Sequence, residues 1–199
     1  IYGFDDTATL KVMYGEAFRN ANPYEQYYYG SQASYGELQP ETIKTYEVAY
    51  EKELTPQIDF IATAYSYHVT NLISAVTTPD DDLYFANLDS AHGRGVEVEL
   101  NRRLDGGTSV RASYAVQRTV DEITGRELSS SPNNLVKLNL GVPLRGDALG
   151  LGFELQYHGA STAQSGVRAD DFLLSNVTLI GKPTEGLELS LSIYNAFDE

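Results

Sequence analysis

The sequence lacks cysteine and tryptophan, and its 199 residues include only one methionine. Without cysteine, disulfide frameworks, thiolate metal sites and cysteine nucleophiles are excluded. Basic residues are also scarce, because 14 lysines and arginines stand against 28 aspartates and glutamates, for a net charge of -14. A balance this acidic argues against nucleic acid as a partner, since phosphate binding requires a basic surface.

Long apolar runs are absent as well, although 42% of the residues are hydrophobic. No segment approaches the roughly 20 consecutive apolar residues of a membrane-spanning helix, which excludes a helical membrane protein. Helical periodicity is convincing nowhere, so no helix is predicted. Tyrosine is abundant, with 15 residues, and such amphipathic rings are typical of membrane interfaces and of carbohydrate-binding surfaces.

Apolar and polar residues alternate with a period of two along most of the chain, which predicts an all-β fold. The alternation is clearest in LELSLSI, residues 187–193, and in LVKLNLGV, residues 135–142. Nine strands are predicted, with approximate bounds Thr7–Phe18, Glu41–Glu53, Gln57–Val69, Ala91–Leu104, Thr108–Thr119, Asn133–Leu144, Leu149–Gly159, Phe172–Lys182 and Leu187–Ala196.

The connections between these strands alternate strictly between long and short. The short ones read LTP, DGG, RGDA and PTEG, and segments of 12 residues or more separate them. In an antiparallel meander, consecutive connections fall at opposite ends, so all tight turns are predicted at one end and all long loops at the other. This asymmetry, with strands longer than those of soluble sheets, is typical of a transmembrane β-barrel.

The two faces of each predicted strand then meet different surroundings. In GRGVEVELNRRL, Val96 and Val98 lie on the face predicted to meet lipid, whereas Glu97 and Glu99 point into a wet lumen. Arg111 lies on the polar face of the next strand, directly opposite Glu99 or diagonal to it, within reach of an ion pair. The residues predicted to line the lumen include Glu47, Glu97, Glu99 and Arg111.

Four segments resemble sequence features of one family. LQPETIKTYEVAYEKEL resembles a Leu-x-Pro-Glu strand opening followed by a Tyr-Glu pair, and AHGRGVEVELNRRL resembles a small-x-Gly-x-Glu-x-Glu strand carried by Gly95, Glu97 and Glu99. SSPNNLVKLNLGVPL resembles a Ser-Pro strand start, and LELSLSIYNAFDE resembles a penultimate strand with an Asn-x-Phe-Asp exit. In this order, across essentially the whole chain, they resemble the C-terminal half of the barrel of TonB-dependent outer-membrane receptors.

The resemblance implies an antiparallel barrel of about 22 strands, of which residues 1–199 supply roughly strands 13 to 21. The plug domain, which contacts the TonB complex, and the final strand are expected outside this segment. The resemblance further implies energised uptake of a scarce ligand across the bacterial outer membrane. An iron-siderophore complex is the first expectation, with cobalamin, haem or a glycan as others. It implies neither catalysis nor a bound cofactor.

Two loop segments are candidate ligand contacts, and the first is rich in tyrosine. Tyr27, Tyr28 and Tyr29 follow one another in YEQYYYG. Their rings suit stacking on a catecholate, porphyrin or sugar. Packing of the same rings at the barrel rim is the plainer interpretation.

The second candidate is the acidic run in PDDDL. Asp80, Asp81 and Asp82 supply oxygen ligands that a hard cation would accept, but the run lacks the spaced ligands and the fixed glycine of a calcium loop. A solvated loop tip is the alternative interpretation. The three aspartates are therefore kept as candidate ligand contacts, and no metal site is predicted.

Two other functions remain open. A soluble β-sandwich or barrel that binds carbohydrate through tyrosine-rich loops would have the same alternation, with its apolar faces turned inward. An outer-membrane barrel enzyme would need a nucleophile and base on adjacent strands. His68, His92 and His158 stand apart in the sequence without a local carboxylate at ligand spacing, so rim histidines are the simplest interpretation and no enzyme is predicted.

Overall fold

The computed structural model describes residues 1–27, 36–77, 83–129, 131–163 and 167–197, without the side chains of residues 88 and 89. Its elements are β1 (Tyr2–Asp5), β2 (Ala8–Arg19), α1 (Pro23–Tyr27), β3 (Glu41–Thr55), β4 (Ile58–Thr77), β5 (Leu83–Arg103), β6 (Ser109–Asp121), β7 (Asn134–Pro143), β8 (Leu149–His158), β9 (Ser161–Thr162), β10 (Arg168–Ala169), β11 (Phe172–Thr184) and β12 (Leu187–Ile193).

Ten of these strands form a single antiparallel sheet. Its order is β1-β2-β3-β4-β5-β6-β7-β8-β11-β12, so each strand pairs with its neighbour along the chain, apart from the small β9-β10 ribbon between β8 and β11. The nine predicted strands are confirmed as β2 to β8, β11 and β12. The four-residue β1 and the two-residue strands β9 and β10 were not predicted, because such short segments carry too little alternation to detect.

The predicted sorting of the connections holds for all of them except the one between β4 and β5. All connections at one end of the sheet, here called the turn end, are turns of two to five residues. At the other end, here called the loop end, three connections have 12 residues or more, and only the β4-β5 connection is shorter, with five. The β5-β6 turn shows the local cause: Gly106 and Gly107 both adopt φ of 88°, a conformation that glycine enters without steric cost.

The predicted long loop between the third and fourth predicted strands is wrong for most of its length. β4 continues to Thr77 and β5 begins at Leu83, so these strands of 20 and 21 residues form a hairpin that extends far beyond its neighbours. The pairing shifts at Asn71, whose φ is 58°, and asparagine tolerates this left-handed region better than most residues. The irregularity breaks the alternation that sequence reasoning follows.

The first long connection contains a helical turn, α1, that was not predicted. Asn22 caps it, because the Glu25 backbone N–H donates to Asn22 Oδ1 (2.9 Å) and the Asn22 N–H donates to Glu25 Oε2 (2.8 Å). Pro23 follows the cap at the first helical position. This reciprocal capping box was readable in the sequence Asn-Pro-Tyr-Glu, although a single turn is too short to show helical periodicity.

The sheet has almost no protein core. Among the described residues, the only buried apolar side chains are those of Ala8, Ala49 and Ala91, and the accessible surface of the chain is 13330 Å². A compact monomer of this mass would expose about 9,300 Å². The large apolar side chains are therefore not covered by a second layer of the described chain.

The two faces of the sheet differ in both chemistry and shape. Polar side chains line cavities of about 680 and 510 Å³ on one face, which is therefore the concave face. The opposite, convex face carries an exposed apolar band that includes Val12, Tyr46, Val48, Val96, Leu100, Tyr114, Val116 and Val136. Within the described residues, no helix has the length and apolarity needed to cross a membrane.

Candidate functional site

A hydrogen-bonded cluster on the concave face joins β5 to β6. Asn101 lies directly opposite Arg111, so Glu99 is diagonal to Arg111, one of the two predicted arrangements. Arg111 Nε donates to Asn101 Oδ1 (2.9 Å), Asn101 Nδ2 donates to Glu99 Oε1 (2.7 Å), and Arg111 Nε is 3.7 Å from Glu99 Oε1. The asparagine thus bridges the charged pair, and the three side chains form a neutralised polar patch.

A second polar cluster lies across the cavity on β8 and β11. Glu154 accepts hydrogen bonds from Gln156 Nε2 (2.6 Å) and Asn176 Nδ2 (2.9 Å). The two cavities share Arg111, Asn139 and Glu154 among their lining residues. Donors and acceptors therefore lie side by side on this face, which suits contact with water or with a polar partner.

The four residues predicted to line the lumen all lie on the concave face. Glu97, Glu99 and Arg111 line the 510 Å³ cavity. Glu47 is half-buried and pairs across the sheet with Met13 on β2 and Tyr65 on β4. The structure thus brings Glu99 and Arg111 together, whereas Glu47 stands two strands away from β5.

Two tyrosines packed over glycines were not found by sequence reasoning. Tyr67 and Tyr65 of β4 extend across Gly93 and Gly95 of β5, where an added Cβ would lie 2.2 Å from Tyr67 Cζ and 2.5 Å from Tyr65 Oη. The Tyr67 hydroxyl forms a hydrogen bond with the Thr119 hydroxyl of β6 (2.7 Å). These rings therefore tie three strands together on the concave face, and a glycine opposite each tyrosine was the available signal.

Ion pairs at the loop end hold the start of the first long connection. Arg19 of β2 contacts Glu25 of α1 through Nη1 (2.9 Å) and Glu41 of β3 through Nε (2.5 Å), while Glu41 Oε1 accepts the Ile73 backbone N–H of β4 (2.9 Å). The bond from Arg19 holds the pKa of Glu41 below its usual value. One guanidinium thereby links α1 to β2 and β3 at the loop end.

The aromatic candidate site is only partly described. Tyr24 of α1 packs edge to face against Phe85 of the long β4-β5 hairpin, with ring centroids 5.9 Å apart. Tyr27, the last residue of α1, is 77% exposed. Tyr28 and Tyr29 lie outside the described residues, so their role as ligand contacts stays a prediction.

The acidic candidate site falls in the connection between β4 and β5. Asp80, Asp81 and Asp82 all lie outside the described residues, which end at Thr77 on one side and resume at Leu83 on the other. What is described is the hairpin that carries them. Their proposed contact with a ligand therefore also stays a prediction.

The histidines fall at the loop end, but two of them share a carboxylate that sequence spacing did not reveal. His68 and His92 are directly opposite on β4 and β5, and each Nδ1 is 3.5 Å from Glu122 Oε1. A hydrogen bond from Ser90 lowers the pKa of Glu122. His158 lies elsewhere, stacked on Phe172. No group of His, Asp and Glu in the described ranges could hold a metal ion.

An antiparallel meander with an apolar convex face, a polar concave face and its long connections at one end defines the wall of a transmembrane β-barrel. Residues 1–196 match the family described as TonB dependent receptor-like, beta-barrel. The chain belongs to this family. No curated protein sequence matches it.

Solved structures of TonB-dependent receptors share the fold at low sequence identity. FpvA of Pseudomonas aeruginosa, bound to a heterologous pyoverdine, is 20% identical, with a TM-score of 0.73 over 100% of this chain and 28% of its own. The copper transporter OprC is 18% identical, with a TM-score of 0.79 over 100% of this chain and 33% of its own. The siderophore receptor PirA of Acinetobacter baumannii is 16% identical, with a TM-score of 0.78 over 98% of this chain and 36% of its own. The chain therefore spans about a third of their length.

Proposed function

We propose that this chain forms part of the barrel of an outer-membrane receptor that takes up a scarce ligand, with an iron-siderophore complex as the first candidate. The observation that carries the proposal is the apolar convex face, which no described element covers, behind a polar concave face, because the hydrocarbon of a bilayer stabilises that arrangement. Family membership supports it. The choice of ligand draws on structural neighbours whose descriptions name ferripyoverdine and ferric catecholate.

The same assignment gives the barrel wall and the plug domain of the whole receptor different roles. The concave clusters around Arg111 and Glu154 would contact a plug domain supplied by the rest of the receptor, and that plug would transmit force from the TonB complex. Transport of this kind forms and breaks no covalent bond, so no residue is assigned a catalytic role. The soluble carbohydrate-binding alternative would require a second layer over the convex face, and no described element lies there.

Ligand recognition is proposed at the loop end. Tyr27, Tyr28 and Tyr29 would stack on the planar groups of the bound complex, and the acidic run at residues 80–82 of the long hairpin would contribute polar contacts. The capping box of α1 and the Tyr24–Phe85 contact support this assignment, because they fix the start of the tyrosine-rich segment next to that hairpin. Holding the start of a binding segment in place reduces the conformational entropy that the segment loses when it binds.

The first experiment uses the full-length protein in an outer-membrane fraction. Electrophoresis in dodecyl sulfate, with and without boiling, should show a heat-dependent shift of a band roughly three times as long as this chain, as its solved relatives are. Uptake of radioactive iron as ferric pyoverdine and as a ferric catecholate then tests the ligand class. Migration independent of heat would overturn the receptor assignment, whereas normal folding without uptake of either complex would overturn only the siderophore assignment.

The recognition residues are tested by replacing all three tyrosines with alanine. We expect the concentration for half-maximal uptake to rise at least about tenfold, since each of the three aromatic stacking pairs contributes about 0.5–1.5 kcal/mol. Tyr2→Ala is the matched control, because Tyr2 is an exposed tyrosine at the opposite end of the sheet. Equal uptake by the triple variant and the wild type would refute this role.

A further inference from the structure

On three strands of the convex face, the exposed apolar band is followed toward the loop end by a basic residue. Of the four strands from β3 to β6, only β4 has a different sequence of convex residues. Toward the loop end, its Ala64 is followed by Ser66 and then by His68. The side chains of the three basic residues are exposed. Along the convex side, Tyr46 is followed by Lys44 on β3, Val96 by Arg94 on β5, and Val116 by Arg118 on β6.

The two arginines lie directly opposite one another on adjacent strands. Like charges in this arrangement destabilise a sheet, because the Cβ atoms of such pairs are only about 5 Å apart. The overall composition does not force the pairing, since acidic residues outnumber basic ones two to one. An anion bound from outside the sheet would reduce the repulsion between the two guanidinium groups.

The acidic residues nearby reduce this repulsion only in part. Glu127 accepts a hydrogen bond from Arg118 Nε (2.8 Å), and Lys44 Nζ is 3.8 Å from Glu16 Oε1. In the part of the chain that the structure describes, no hydrogen bond or ion pair reaches the side chain of Arg94. Arg94 and the remaining donors of Arg118 thus face outward beside the end of the apolar band.

A phosphate group fits these donors. Guanidinium groups bind phosphate oxygens in paired, charge-assisted hydrogen bonds, and basic side chains just beyond a hydrophobic span attract anionic lipid headgroups. We infer that Arg94 and Arg118 bind the phosphate-bearing headgroup of an anionic lipid packed against the convex face. The inference rests on the proposed function, because it requires that the convex face meets lipid.

The test measures lipid binding to the purified full-length receptor in a neutral detergent. Native mass spectrometry gives the affinity for phosphatidic acid, with phosphatidylcholine as the zwitterionic reference. We expect Arg94→Gln/Arg118→Gln to weaken phosphatidic acid binding roughly 30-fold, or roughly fivefold for each charge removed near the headgroup. Binding of phosphatidylcholine should not change.

Two variants separate this site from net charge and from misfolding. Arg126→Gln/Arg168→Gln removes the same charge from exposed residues between strands and within the β10 ribbon, and should bind phosphatidic acid like the wild type. Arg94→Lys/Arg118→Lys keeps the charge and should recover most of the affinity. Each variant is first checked for the heat-dependent gel shift, so that the fold is scored separately from lipid binding.

The outcomes are distinguishable. A loss confined to the glutamine variant of Arg94 and Arg118 supports the headgroup site. Equal binding by that variant and by the Arg126/Arg168 control would overturn it while leaving the receptor assignment intact. Displacement of the lipid by millimolar inorganic phosphate would identify a site for free phosphate and overturn the lipid assignment. A wild-type protein without a heat-dependent shift would overturn both.

Discussion

At the scale of single residues, Gly93 and Gly95 lack side chains and so leave room for tyrosine rings to pack on the concave face. The ring of Tyr67 occupies the space above Gly93, and its hydroxyl continues to Thr119, which is 5% exposed. Gly95 is also part of the sequence feature shared with the family, and the Tyr65 ring across it supplies a physical reason for glycine there. A buried hydroxyl pair of this kind contributes about 1 kcal/mol.

Gly93→Ala should lower the thermal midpoint at which the full-length receptor loses its folded gel mobility. The new Cβ would overlap the Tyr67 ring, and such overpacking costs about 1–3 kcal/mol. Gly15→Ala is the matched control, because Gly15 is a strand glycine with no atom within 4 Å of an added Cβ. Adding Tyr67→Ala should remove most of the Gly93→Ala penalty. Identical midpoints for Gly93→Ala and Gly15→Ala would contradict the packing argument.

At the scale of the element, each long strand separates two environments. Val98 of β5 lies on the convex face opposite Tyr114 of β6, whereas the next pair along, Glu99 and Ser113, lies on the concave face. A shift of pairing by one residue would exchange the two sets of side chains. The facing therefore fixes which substitutions the strand tolerates.

An arginine at either position tests this assignment. Val98→Arg should destabilise the folded receptor by about 2–4 kcal/mol, because the charge would enter the hydrocarbon layer near its midplane. Ser113→Arg should change stability by less than about 0.5 kcal/mol, since surface positions in water usually tolerate substitution. Denaturant unfolding in lipid vesicles measures both values. A larger loss for Ser113→Arg than for Val98→Arg would mean that the faces are reversed.

At the scale of the whole molecule, the sheet order begins at β1 and ends at β12, and no pairing joins these two strands within the described ranges. β12 also carries Leu189, Leu191 and Ile193 on its convex side, each more than half exposed. Unpaired backbone at a sheet edge is a template for association with other chains. Stability at this scale therefore depends on what completes the sheet and covers its apolar band.

Residues 1–199 expressed alone should aggregate in plain buffer or pair edge to edge with other copies. The uncovered apolar face and the two free edges both drive association. Size-exclusion chromatography with light scattering measures the outcome, and the full-length receptor in detergent is the reference. A monodisperse monomer in buffer without detergent would contradict the assignment of the convex face to lipid.

The strands and their facing were predictable because alternation with a period of two is a local property. The pairs formed by Val96 with Glu97 and by Val98 with Glu99 show the two faces directly, and the lengths of the connections show the two ends. The limits appear where local pattern fails. Asn71 interrupts the alternation of β4, so the hairpin beyond it was interpreted as a loop, and the single turn of α1 is too short for a periodic signal.

The sequence by itself determined the fold class, the polar and apolar faces and the ends at which turns and loops lie, because each follows from the order of residues along one strand. Only the tertiary structure decided which side chains meet across strands. The bridge from Arg111 through Asn101 to Glu99, the Tyr67 ring over Gly93 and the opposition of Arg94 to Arg118 all depend on register. Register is a relation between strands, and the pattern within any one strand does not contain it.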